Sequence, residues 1–245
     1  MTVVINKERP RQFQLFQQGI HPGVGSIMAE LFLKPEFQRL SRLVEKNPYH
    51  DSENVLEHVQ SVFANCQELL SFDFVKSPEL RKRYEERLSK KIDVKGTYTR
   101  KDLLVITSGL HDIGKGIEKE PGVTILEVVD QEGNTKAAGH EHAGSSIIPG
   151  LLSGFDLTSS EIATVQSLVD WHDTYSETWC KANLTQEIES DIQKIRNRQP
   201  LFYPELLLHI LADNWGAEIY KPWSEYFLNQ VFQRESFLPG ELRDF

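Results

Sequence analysis

The chain has 245 residues, 39% of them hydrophobic and 26% charged, with a formal net charge of −9 and a pI near 5.4. That balance suits a globular protein with one sizeable core, or at most two small ones, and argues against disorder. No apolar run approaches the roughly 20 residues that a membrane helix requires, and the acidic balance disfavours non-specific nucleic-acid binding.

The N-terminal MTVVINKERPRQF has no apolar stretch of signal-peptide length, and Cys66 and Cys180 have no CxxC spacing, so the expectation is a cytoplasmic protein with free thiols. Residues 1 to 30, with Pro10 and Pro22, read as a less regular end packed on a helical body. His21-Pro22-Gly23-Val24-Gly25 contains a GxG, but no strand precedes it, so it is not a phosphate loop. Val55, Val59, Val62, Phe63, Cys66, Leu69 and Leu70 recur at spacings of three and four, which predicts an amphipathic helix. Residues 76 to 102 are rich in Lys and Arg. Glu79, Glu85 and Glu86 interleave there at helical spacing, giving a solvated face of ion pairs or, alternatively, a phosphate-attracting rim.

The run from 103 to 113 is apolar nearly all round and should be a central, buried helix. Residues 124 to 139 carry the β-formers Ile125, Val128 and Val129 and the turn signal Glu132-Gly133-Asn134, so a short hairpin is expected between helices. A helix should begin near His140, and Pro149 should kink or end it. Thr158-Ser159-Ser160-Glu161 reads as a capping box, opening a helix with Ile162, Val165, Leu168 and Val169 inward. Leu184, Ile188, Ile192 and Ile195 mark a more exposed helix, and Leu206, Leu207, Ile210 and Leu211 an apolar one. Residues 220 to 245, with Pro222 and Pro239, read as a second irregular end. The fold class expected is all-α, a helical bundle with a β-hairpin excursion near 124–138, in one domain spanning 1–245.

The polar residues on the buried faces are the informative ones. His58 lies three residues after Val55 and four before Val62. His111-Asp112 closes the central helix. His172 follows Val169 by three, and Asp213 follows Ile210 by three. A single inward His is ordinarily a hydrogen-bonded core residue, but an unpaired buried carboxylate is costly. Several such residues on four helices need something to neutralise them, and a divalent cation binds neutral imidazole and ionised carboxylate together. In GHEHAG, residues 139 to 144, His140 and His142 diverge by about two hundred degrees on a helix, so one of them at most faces the same ion.

NPYHDSENVLEH (47 to 58), HDIGKG (111 to 116), GHEHAG (139 to 144) and VDWHD (169 to 173), followed by Asp213, resemble the signature of the HD superfamily of metal-dependent phosphohydrolases. Within it they are most similar to the HD domain attached to bacterial CCA-adding tRNA nucleotidyltransferases. The resemblance runs from about residue 47 to 215 and implies an HD-type helical bundle. The first 46 residues are too short for a nucleotidyltransferase domain, so a stand-alone HD protein is expected and the nucleotide-adding activity is not carried over. The family pattern implies that His58, His111, Asp112 and Asp213 hold a first divalent metal. It further implies that His140 and His172 complete a second site with Asp112 bridging, and it favours His140 over His142. Mn, Fe, Ni, Co, Zn and Mg are not distinguished. The subgroup's second histidine after NPYH is replaced here by Asp51-Ser52-Glu53, which leaves the role of His50 open.

The implied activity is hydrolysis of a phosphate ester in a small, nucleotide-like substrate: a nucleotide, a cyclic phosphodiester or an RNA end. Asp112 would bridge the ions and orient water. Lys115 would contact a phosphate oxygen or simply satisfy a helix C-terminus. His50 or His142 would protonate the leaving group, while His209 and Asp173 read as supporting neighbours. Two other readings share the ligand set: a mixed-valent di-iron oxygenase of the HD fold, and a non-catalytic nucleotide-binding module.

Overall fold

The structure is a computed structural model and describes residues 13–47, 50–126, 128–174, 185–215 and 221–234, with the side chains at 50–53, 128, 185–187 and 221–223 outside that description. The protein is all-α with short antiparallel hairpins. No helix among the described residues is long and apolar enough to cross a membrane.

The N-terminal region is more regular than expected. α1 (Pro22–Phe32) and α2 (Pro35–Leu40) both begin on a proline, and α1 buries Val24, Ile27, Met28 and Leu31. A proline at the first helical position lacks only an N–H that has no helical partner anyway, so it starts a helix instead of breaking one. His21, in the sequence of the discarded GxG, is the N-cap of α1, its Nδ1 accepting from the Gly23 N–H at 3.1 Å. The C-terminal region likewise holds α10 (Lys221–Tyr226), continued by one wide turn over Phe227–Val231. Pro149 also fails to end its helix: α6 (His140–Leu152) runs three residues past it, with Ile148, Leu151 and Leu152 buried on either side. The proline ring's fixed φ is helical, and burial of those residues outweighs one lost backbone hydrogen bond.

α5 (Arg100–Leu110) lies at the centre of the helices. It is buried along its apolar run and packs against α3 (Val55–Leu69), α7 (Ser159–Trp171) and α9 (Tyr203–Asp213), while α6 packs on α7. Each fully buried Leu, Ile or Val contributes about 1.5–3 kcal/mol. The expected capping box is present: Thr158 Oγ1 accepts from Glu161 N, and Glu161 Oε2 accepts from Thr158 N at 2.7 Å. The other oxygen of this fully buried Glu161 accepts from Tyr98 N at 2.7 Å, tying the approach to α5 onto α7. Cys66 on α3 is buried and its thiol is pushed up to about 12 by that burial. Cys180 and Leu184 lie outside the described residues.

The basic segment forms α4 (Pro78–Ser89), and its cations serve structure. Arg87 and, at the start of α5, Arg100 close on the two oxygens of the buried Glu205 at 2.9 and 2.8 Å. Lys82 pairs with Glu86 one turn on. α8 (Thr185–Arg198) buries Ile188, Ile192 and Ile195.

The expected hairpin is present as β5 (Val128–Val129) with β6 (Thr135–Lys136), and a second small one, β3 (Glu118–Glu120) with β4 (Val123–Thr124), precedes it. A third, unexpected hairpin pairs β1 (Val44–Asn47) with β2 (His50–Asn54), which feeds directly into α3. Thr135 Oγ1 joins the hairpins, accepting from Lys46 N at 2.8 Å and donating to Lys46 O at 3.1 Å.

Candidate metal centre

Four helix ends meet at one carboxylate. α5 stops at Leu110, His111 caps it, and Asp112 leads into a tight turn, Ile113–Gly116. Asp112 is 2% exposed, and its two oxygens face different ways. Oδ1 lies 3.1 Å from His140 Nε2 and 3.7 Å from His172 Nε2. Oδ2 lies 3.4 Å from His111 Nε2 and 3.8 Å from His58 Nε2. Asp213, at the end of α9, places Oδ1 2.9 Å from His58 Nε2 and 3.6 Å from His111 Nε2. Two triads result, His58–His111–Asp213 and Asp112–His140–His172, each with potential ligand atoms within 4.8 Å of one another. Both could hold a metal ion. The six residues that the family resemblance named as ligands are therefore brought together.

The histidines are oriented by a repeated local device. His111, His140 and His172 each direct Nδ1 at the carbonyl three residues earlier: Ser108 at 3.0 Å, Ala137 at 2.8 Å and Val169 at 2.6 Å. A carbonyl only accepts, so Nδ1 carries the proton, and in the neutral ring Nε2 presents a lone pair to the centre. His111 and His172 cap α5 and α7, where carbonyls otherwise lack helical donors. His140 opens α6 behind Gly139, whose φ of +83° is left-handed and costs glycine little. Such fixing of the remote ring nitrogen is what metal-binding histidines ordinarily require.

The electrostatics also fit a cation. His140 Nε2 and His172 Nε2 stand 3.1 Å apart with both Nδ1 atoms committed as donors. Two lone pairs at that distance repel unless a proton or a metal lies between them. Burial opposes protonation of His172, but hydrogen bonding and charge from Asp112 win and raise it to about 9. His111 Nε2 is buried with no hydrogen-bond partner among the described residues, and the buried Asp112 Oδ2 is met by Lys115 Nζ at 2.8 Å. Burial alone would raise the Asp112 carboxyl, yet Lys115 and His111 hold it well below the usual range, and His58 and His111 do the same for Asp213. Both carboxylates are therefore charged acceptors, the form a cation takes.

Lys115 is 4% exposed in the turn after Asp112, with Nζ 2.8 Å from Asp112 Oδ2 and 2.6 Å from Glu45 Oε2. Burial disfavours its charge, but the two carboxylates reverse this and keep it charged. Glu45 escapes sequence reasoning because β1 shows no alternating pattern. The only signal for it is that a buried lysine carries three donors, more than one aspartate oxygen satisfies. His142 does not join the centre: it is largely exposed and its Nδ1 meets Asp170 Oδ1. Asp173 and Glu141 stand with His140 at the rim. His50 opens β2, and its side chain lies outside the described residues. Trp179 and the Trp223 side chain lie outside them too, while Trp171 and Trp215 pack against the core.

His209 sits one turn before Asp213, fully buried, its ring 5.1 Å from that of His111 and 5.9 Å from that of His172. Burial holds it neutral, and neither ring nitrogen has a hydrogen-bond partner among the described residues. A buried polar atom in that state costs about 1–3 kcal/mol. His209→Leu should therefore raise the urea-unfolding stability of the metal-free protein by about 1 kcal/mol or more. A drop would show that the imidazole is hydrogen-bonded in solution.

No protein-family model matches the chain, and comparison with curated proteins gives no match.

Proposed function

We propose that the protein is a metal-dependent phosphohydrolase that holds two divalent cations and acts on a small phosphate ester of nucleotide type. The observation that carries this reading is the single buried Asp112, with one oxygen turned to each triad. His58, His111 and Asp213 would hold one ion and His140 and His172 the other, with Asp112 shared. Bound there, the ions supply Lewis acidity toward phosphate oxygens and lower the pKa of water.

The chain's own residues do the rest. The Ser108, Ala137 and Val169 carbonyls keep three imidazoles in the tautomer that binds metal, so little reorganisation is needed on loading. Lys115 keeps Asp112 ionised in a buried place and anchors the HDIGKG turn to β1. The apolar packing around α5 excludes water from one side, which strengthens each charge interaction within the centre.

The test is to strip the purified chain with chelator, reload it with Mn, Ni, Mg or Fe(II), and measure bound metal and hydrolysis of nucleotides, cyclic phosphodiesters and RNA ends. The expected result is release of phosphate or of a phosphomonoester that depends on the added divalent ion. Stoichiometric iron with oxygen consumption and no hydrolysis would replace this reading with the di-iron oxygenase. Stoichiometric metal with no turnover on any of these compounds would favour a non-catalytic module.

A further inference from the structure

Glu45 is a buried carboxylate outside both triads. It comes from β1, not from the helices that supply the ligands, and is 6% exposed. Lys115 Nζ donates to its Oε2 at 2.6 Å, and Asn47 Nδ2 donates to its Oε1 at 3.1 Å. β1 is fixed from both sides, by pairing with β2 and by the two hydrogen bonds that Thr135 makes with the Lys46 backbone. Glu45 is therefore built into the centre by a hairpin scaffold.

The consequence concerns charge. Lys115 is the only buried lysine among the described residues, and it is already shared between Asp112 and Glu45. Asp112 and Glu45 put two carboxylates against it, Asp213 adds a third at His58 and His111, and Glu141 and Asp173 add two more beside His140. Apart from the two cations the centre would hold, which attract either ester, a phosphate entering it meets acidic walls and no uncommitted buried lysine among the described residues. A phosphodiester carries one negative charge, whereas a phosphomonoester, with a second ionisation near pH 6, carries almost two at neutral pH. The second charge costs more among carboxylates than in water.

We propose that Glu45 is a specificity-determining residue. By holding Lys115 against Asp112 it withholds that cation from the substrate, and the centre takes a singly charged phosphodiester in preference to a doubly charged phosphomonoester. This deepens, and rests on, the phosphohydrolase reading. In the step concerned, the oxygen of water bonds to phosphorus and the ester P–O bond breaks, its electron pair leaving on the alcohol oxygen. One water proton ends on that alcohol, and the other stays on the phosphomonoester product or passes to solvent.

The experiment compares the wild-type chain with Glu45→Gln, which keeps the shape and the acceptor for Lys115 but removes the charge, and with Glu45→Asp, which keeps the charge. Each is loaded with the same divalent ion and assayed on bis(p-nitrophenyl) phosphate and p-nitrophenyl phosphate, and the binding of inorganic phosphate is measured by calorimetry. The wild type should favour the diester in kcat/KM. Glu45→Gln should lower the diester-to-monoester ratio by about tenfold, through the KM of the monoester, and should bind inorganic phosphate about tenfold more tightly. Glu45→Asp should keep the wild-type ratio and phosphate affinity. A wild type that prefers the monoester, or a Gln variant with ratio and phosphate affinity unchanged, overturns the proposal. So does an Asp variant that shifts as far as Gln. If no variant hydrolyses either ester, the phosphohydrolase reading fails. The phosphate isotherms then still decide whether Glu45 sets the charge the centre accepts.

Discussion

Asp112→Asn should abolish metal uptake by both triads at once. The two oxygens of Asp112 face separate sets of imidazoles, with Oδ1 3.1 Å from His140 Nε2 and Oδ2 3.4 Å from His111 Nε2. An amide has the same shape but no charge, and only one of its two polar atoms accepts. Whichever way it turns, one triad meets an NH2 group where it had an oxygen. Removing a residue that merely orients a metal ligand costs about 10–100-fold in affinity, so losing the shared carboxylate should cost more than about 100-fold at each triad. Calorimetric titration with Mn or Zn would measure this. The metal-free variant should also lose about 1.5–3 kcal/mol in urea unfolding, the range for a hydrogen bond to a charged group, because Lys115 keeps Glu45 but loses its ionised partner in Asp112. Helical circular dichroism should survive. Wild-type metal affinity in Asp112→Asn would mean that the triads do not act as a shared centre. By contrast, Asp213→Asn touches one triad only and should leave binding at Asp112–His140–His172 within about tenfold of wild type.

Much of this centre was legible in the sequence, because helices with buried stripes fix where a side chain points. His58, His172 and Asp213 sit three residues from a buried valine or isoleucine, and that spacing alone turned each toward the core. His111-Asp112 was visible as a polar ending to an apolar helix. What the periodicity could not supply were the groups placed by short strands or by contact between distant segments. β1 has four residues and no alternation, so Glu45 gave no sign of burial, though it bonds to a lysine 70 positions away. The prolines misled for a different reason. Pro22 marks a less regular end in a linear reading, but at a first helical position its missing N–H costs nothing. Pro149 sits inside a helix whose buried residues hold it together. The i−3 carbonyl bonds that fix three imidazoles were latent in the sequence as histidines at helix ends, and only the backbone path showed them to be one device used three times.

Gly114→Ala should break the centre without touching any ligand. The HDIGKG turn and α6 meet backbone to backbone. A Cβ on Gly114 would stand 1.9 Å from the His140 carbonyl oxygen, 2.7 Å from Gly144 N and 2.8 Å from the His140 carbonyl carbon. All three obstacles are main-chain atoms, so no side chain can swing aside. Relief requires the turn to part from the start of α6 by about 1 Å, enough to bring the nearest contact from 1.9 to near 3.0 Å. Asp112 lies just before that turn, and His140 is the first residue of α6, so the gap opens directly between two members of one triad. Overpacking of this kind costs about 1–3 kcal/mol, and a displacement near 1 Å can cost about a hundredfold in catalysis. The expected outcome is a folded protein of lower thermal stability whose Asp112–His140–His172 triad loses metal while His58–His111–Asp213 retains it. Gly150→Ala on the same helix is the control. Its added Cβ meets nothing within 4 Å, and alanine is the better helix former by about 1 kcal/mol, so that variant should melt higher and bind metal as the wild type does. Equal metal binding by Gly114→Ala and Gly150→Ala would show that the turn and α6 can separate without moving the ligands, and that their close approach is a matter of packing alone.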